Sequence, residues 1–135
     1  MTASHAFEEH VGEVRVRVEA PTLAGVFEEA AAVLCELAAG AGVRATAEPE
    51  RVVVRAADRE ALLVDWLNEI VYRSESSARV YPEVRVERAS DREIEATLRG
   101  AEPADIRTAV KAATMHDLFV RREGDRWAAR FVLDV

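Results

Sequence analysis

Residues 14–23 read Val14-Arg15-Val16-Arg17-Val18-Glu19-Ala20-Pro21-Thr22-Leu23, and they decide the class of fold. Three valines alternate with charged residues, the period-two pattern of a strand with one face buried and one in water. Pro21 and Thr22 stop the strand. Thr22 is suited to cap a helix, because its side-chain oxygen can accept from a free first-turn amide. From Leu23 the spacing changes: Val26, Phe27, Ala30, Leu34, Leu37 and Ala38 recur at helical intervals. Gly40 and Gly42 end that helix. A half-buried strand followed at once by an amphipathic helix predicts helices packed on a sheet.

The rest of the chain extends the pattern. Residues 51–56 are rich in valine and lie between Pro49 and Asp58, which predicts a second strand. Asp58 is placed to cap a second helix, with Leu62, Leu63, Trp66, Leu67, Ile70 and Val71 on one face. Glu60, close to the first turn, favours that helix through its dipole. Val84 and Val86, then Ile94, Ala96 and Leu98, mark two strands joined near Ala89-Ser90-Asp91. Residues 100–105, with Pro103, read as a loop holding one helical turn. The stretch from Val110 to Val120 is apolar on both alternating faces, which predicts a central strand. Glu123-Gly124-Asp125 turns the chain into a last strand, Trp127 to Leu133. The order β-α-β-α-β-β-(turn)-β-β predicts an α+β fold, with two helices packed on a mixed six-stranded sheet. The length, 135 residues, fits one domain spanning the whole chain.

Composition narrows the function. Half of the residues are hydrophobic, enough for a sizeable core. No run of about 18 apolar residues is present, so no membrane helix is expected. The first residues carry acids where a signal peptide needs a basic and then an apolar stretch, so the expected location is cytoplasmic. Cys35 is the single cysteine and lies mid-helix, which excludes an internal disulfide and predicts a buried small hydrophobe. The net charge of -7 and the scattering of the arginines, of which Arg121 and Arg122 alone are adjacent, disfavour direct, tight nucleic-acid binding. A basic protein partner or a bound cation suits that charge better.

Common catalytic motifs are absent: there is no phosphate-cradling glycine loop, no paired cysteines, no HExxH and no Gly-x-Ser-x-Gly. Three places hold polar residues that the strands do not need. They are His10-Val11-Gly12-Glu13 before the first predicted strand, Lys111 with His116-Asp117 in an otherwise apolar strand, and Asp134-Val135 at the end. Each has an ordinary explanation by itself, as a solvated or capping residue. If the first and last strands end at the same sheet edge, however, Glu13, Asp134 and the Val135 carboxylate would converge. Three such donors repel one another unless a hard cation lies between them, and oxygen-only ligation favours calcium or magnesium over zinc.

These motifs resemble the archease family. Archeases carry a His-Thr-Ala-Asp motif before the first strand, a Leu-Leu-x-x-(aromatic)-Leu-x-Glu helix, a Val-Lys-Ala-x-Thr-(aromatic)-His strand and a C-terminal Asp followed by one aliphatic residue. Here the corresponding stretches are His10-Val11-Gly12-Glu13, Leu62-Leu63-Val64-Asp65-Trp66-Leu67-Asn68-Glu69, Val110-Lys111-Ala112-Ala113-Thr114-Met115-His116-Asp117 and Asp134-Val135. Glu13 stands where the family has Asp, and Met115 where it has an aromatic residue. The resemblance implies a divalent cation, calcium with magnesium or manganese as alternatives, held by Glu13, Asp134 and Val135. It also implies an accessory role, without catalysis, toward an RtcB-type RNA ligase in tRNA splicing and RNA repair. Lys111, His116, Asp117 and His10 are the residues expected to act on that ligase. Two other readings stay open: a divergent archease-fold module that has lost the metal and binds another protein, and a small hydrolase using His116 and Asp117.

Overall fold

A computed structural model describes residues 2–103 and 105–135. Among them are seven strands and two helices: β1 Ser4–His10, β2 Glu13–Ala20, α1 Leu23–Ala39, β3 Glu50–Arg55, α2 Arg59–Ser77, β4 Val80–Ala89, β5 Glu93–Ala101, β6 Ala112–Glu123 and β7 Arg126–Asp134. Both helix starts follow their expected caps. Thr22 Oγ1 accepts from Gly25 N at 3.0 Å, and Asp58 Oδ1 from Ala61 N at 2.8 Å. The α+β class and the two helices are as the periodicity predicts.

The sheet differs from expectation in four ways. The strands form two sheets, ordered β1-β2-β7-β6 and β3-β5-β4, rather than one sheet of six. Every pairing is antiparallel, so neither sheet is mixed. The reason lies in the crossovers: β2-α1-β3 carries the chain from one sheet to the other, and β3-α2-β4 returns to the same sheet but with β5 inserted between its two parallel strands. The additional strand is β1, which forms a hairpin with β2 across Val11-Gly12. Gly12, at φ 79, adopts the backbone that the tight turn needs.

The fourth difference concerns β6, which lies at the edge of the four-stranded sheet rather than in its centre. It reads as a central strand because α2 seals its outer side. Asn68 Nδ2 donates to Ala113 O at 3.2 Å, Ala113 N donates to Asn68 Oδ1 at 2.8 Å, and Val120 N donates to Glu60 Oε2 at 2.9 Å. On the other sheet, the edge strand β4 is treated alike: Val86 N donates to Glu28 Oε2 of α1 at 2.9 Å. Helix side chains thus take the bonds that a further strand would have made. Residues 102–111 join β5 to β6, and the described ones form no helical turn.

The core lies between the sheets and helices. Val14, Val16 and Val18 of β2 meet Ala129, Phe131 and Leu133 of β7, all buried. Trp66 is fully buried, its indole N–H donating to Phe27 O at 3.0 Å, with the two rings edge to face at 6.4 Å. Cys35 is buried, as expected. The outer face of the four-stranded sheet is covered by long side chains: the Arg17, Arg121 and Arg130 guanidiniums lie 5.7, 4.0 and 5.1 Å from the Phe119 ring centre.

Candidate functional site

One row of residues crosses the end of the four-stranded sheet. His10 of β1 is opposite Glu13 of β2, Glu13 is opposite Asp134 of β7, and Asp134 is opposite Ala112 of β6. Opposed residues of antiparallel strands project to the same face, so these polar residues share the face turned away from the core. Two backbone bonds fasten the row. Val135 N donates to Gly12 O at 3.1 Å, tying the last residue to the β1–β2 turn. Lys111 N donates to Asp134 O at 2.8 Å, fixing the start of β6 beside the same aspartate. Lys111, exposed, is the single lysine of the chain.

Directly opposed carboxylates destabilise a sheet unless positive charge lies near. Glu13 Oε2 is withdrawn from solvent and accepts no hydrogen bond. Arg15 Nε lies 3.6 Å from it, beyond hydrogen-bond reach. A buried acceptor left without a donor is costly, and a cation at that oxygen would relieve it. Among the described residues no three His, Cys, Asp or Glu side chains cluster as a metal site. The oxygen donors that the register brings together here are two side chains, Glu13 and Asp134. Such donors suit a hard divalent cation.

His116 and Asp117 sit elsewhere. Thr114 pairs with Val132 and Phe119 with Arg130, so residues 115–118 stand opposite Phe131 alone and the strand bulges outward. Asp117, at φ 50, forms the bend, and Met115 is 62% exposed beside it. His116 Nε2 lies 3.4 Å from Asp117 Oδ2, and Arg130 Nε donates to Asp117 O at 3.2 Å. The bulge and the carboxylate row are linked by Arg15, with Nη1 4.0 Å from Asp117 Oδ2 and Nε 3.6 Å from Glu13 Oε2. Arg15 reads in the sequence as a plain solvent-facing strand residue. Its spacing of two from Glu13 is the signal that both share one face. Asn68, which holds the start of β6 in place beside Lys111, is hidden inside the helix pattern.

The geometry has close counterparts. The model of the archease protein family matches residues 5–135. The archease of Methanopyrus kandleri is 32% identical over 94% of this chain and 96% of its own length. That of Methanosarcina acetivorans is 28% identical over 97% and 95%. Among solved structures, protein 1598 of Methanobacterium thermoautotrophicum superposes with a TM-score of 0.77 at 27% identity, covering 97% of this chain and 98% of that one. An archease of Thermotoga maritima, titled a possible chaperone, has the same fold, with a TM-score of 0.69 at 23% identity over 95% and 94%. Sequence from β1 to the final valine and a shared architecture agree: the chain belongs to the archease family.

Proposed function

We propose that this protein is a metal-binding accessory factor, not an enzyme, that activates an RtcB-type RNA ligase in the cytoplasm. The supporting observation is the row itself: the Glu13–Asp134 pair is flanked by a backbone bond from Val135 to Gly12 and another from Lys111 to Asp134. The family resemblance implies the partner chemistry. Such ligases join RNA ends bearing a 3′-phosphate or 2′,3′-cyclic phosphate, using manganese and GTP, and are first guanylylated on a histidine. The accessory protein promotes that guanylylation and lets the ligase turn over repeatedly, in tRNA splicing and RNA repair.

Glu13, Asp134 and the Val135 carboxylate would hold the divalent cation, calcium by donor type, with magnesium or manganese as alternatives. Once bound, it would offset the repulsion among the three carboxylates. Lys111 projects from the residue next to the row, with its backbone fixed, and supplies a positive charge toward the ligase. His10 ends the row, and His116 and Asp117 on the bulge extend the same face. The net charge of -7 suits contact with a basic protein.

RNA ligation by the same organism's ligase, under multiple turnover, tests this reading. Substoichiometric protein should stimulate ligation, and Lys111→Ala or Asp134→Ala should abolish the stimulation. An active ligase that gains nothing from the unaltered protein would sink the proposal.

Arg15, 3.6 Å from Glu13 Oε2, favours a second reading in which a built-in cation replaces the metal. The protein would then be a divergent archease-fold module serving another partner. Thermal melting separates the two. A cation that binds the folded state stabilises it by about 2.7 kcal/mol at a hundredfold excess over Kd. Millimolar calcium should therefore raise Tm in the unaltered protein but not in Asp134→Ala, nor when one residue is added after Val135. No rise with calcium, magnesium or manganese favours the second reading.

A further inference from the structure

Away from the carboxylate row lies a cavity of about 510 Å³, between the C-terminal halves of α1 and α2 and beneath the segment joining β5 to β6. Leu34 and Cys35 of α1, Ile70 and Val71 of α2 and Tyr81 of β4 line it. Each keeps a small residual exposure, between 2 and 9%. Ile106, 53% exposed, stands at its margin. The volume falls within the roughly 300–1,000 Å³ of small-molecule sites and exceeds what one side chain fills.

The charged groups on the lining set the chemistry of a ligand: Glu75 against Arg79 and Lys111 leaves it one net positive charge. Arg79 is engaged with Glu50 at 3.6 Å. The Lys111 ammonium forms no ion pair among the described residues. The chain's single lysine and single cysteine therefore line the same cavity. An apolar chamber with one uncommitted cation suits a molecule with a hydrocarbon chain and an anionic head.

We propose that this cavity binds a small amphipathic anion, with its chain between α1 and α2 and its head group on Lys111. The anion is a medium-chain carboxylate or an alkyl phosphate, which share this chemistry. The site shares Lys111 with the carboxylate row, and the rest of its lining is separate from it.

Cys35 provides the readout. Burial, and after it the nearby Glu36 carboxylate, push its thiol up from the ordinary value, so alkylation at neutral pH is slow. The chain has no other cysteine, so mass spectrometry reads one site. Decanoate below its micellar concentration should slow N-ethylmaleimide addition to Cys35 several-fold. Acetate should have no effect, and 1-decanol should act more weakly. Comparing decanoate with decyl phosphate identifies the preferred head group. Lys111→Gln should reduce the preference for decanoate over 1-decanol about tenfold, the scale of one lost charge-assisted bond. Ala38→Phe, which fills the cavity from α1, should abolish protection while the protein still melts cooperatively. Ala109→Phe tests the same point from the connecting segment. Equal Cys35 reactivity with and without both amphiphiles overturns the proposal. Equal protection by 1-decanol, or protection by an apolar peptide alone, overturns it as well.

Discussion

Trp66→Ala should lower the stability of the protein by about 3–5 kcal/mol, seen as a marked fall in the urea midpoint and in Tm. Two losses combine. The indole is fully buried, so its removal leaves a large cavity at the centre of α2. Its N–H is also the donor to Phe27 O, and that carbonyl of α1 would lose this partner. The control is Asp134→Ala, which removes an exposed side chain at a sheet end and should leave the midpoint nearly unchanged. If both variants lose the same stability, the row at the end of β7 is structural, and the metal assignment fails with it.

The second large effect is expected at Asn68. Its side-chain amide both donates to and accepts from Ala113 on the edge strand β6. Asn68→Leu keeps the size and slightly raises helix propensity, but leaves both peptide groups without a partner. At about 1–3 kcal/mol for each unsatisfied group, reduced because the site is part-buried, the loss should be about 2 kcal/mol. Asn68→Asp retains the acceptor for Ala113 N and loses the donor, so it should fall between Asn68→Leu and the unaltered protein. The ligase assay adds a second readout, since Lys111 immediately precedes the strand that Asn68 holds. A neutral Asn68→Leu would show that α2 does not seal this edge.

Much of the fold is legible in the sequence where physics acts locally. Thr22 and Asp58 cap their helices as expected, and Gly124, at φ 66, makes the predicted last turn. Alternation marks the buried faces of β2 and β5 correctly. Pairing is another matter, because alternation says which face is buried and not which strand lies alongside. The division into two sheets is therefore invisible, and so is β1. Its Glu8, Glu9 and His10 break any period-two pattern, and its strand form comes from the β2 hairpin. The bulge at Asp117 lacks the glycine that usually signals positive φ. At the site, the residue types suggested oxygen ligation, but convergence was conditional on strand order. The β2–β7 register makes Glu13 and Asp134 cross-strand partners. Arg15, the group linking row and bulge, gives no signal of its own beyond an alternating position.

The seals along the strand edges have a consequence for how this fold varies through evolution. Glu28, Glu60 and Asn68 grip peptide groups of β4 and β6, not side chains. A peptide N–H is supplied by every residue except proline. Substitution at Val86, Ala113 or Val120 by any residue but proline therefore neither breaks such a bond nor compensates for its loss. The constraint falls on the helix partner alone. Helix and strand would then be held together by contacts that leave no correlated substitutions, and methods that infer proximity from paired changes would be blind to them.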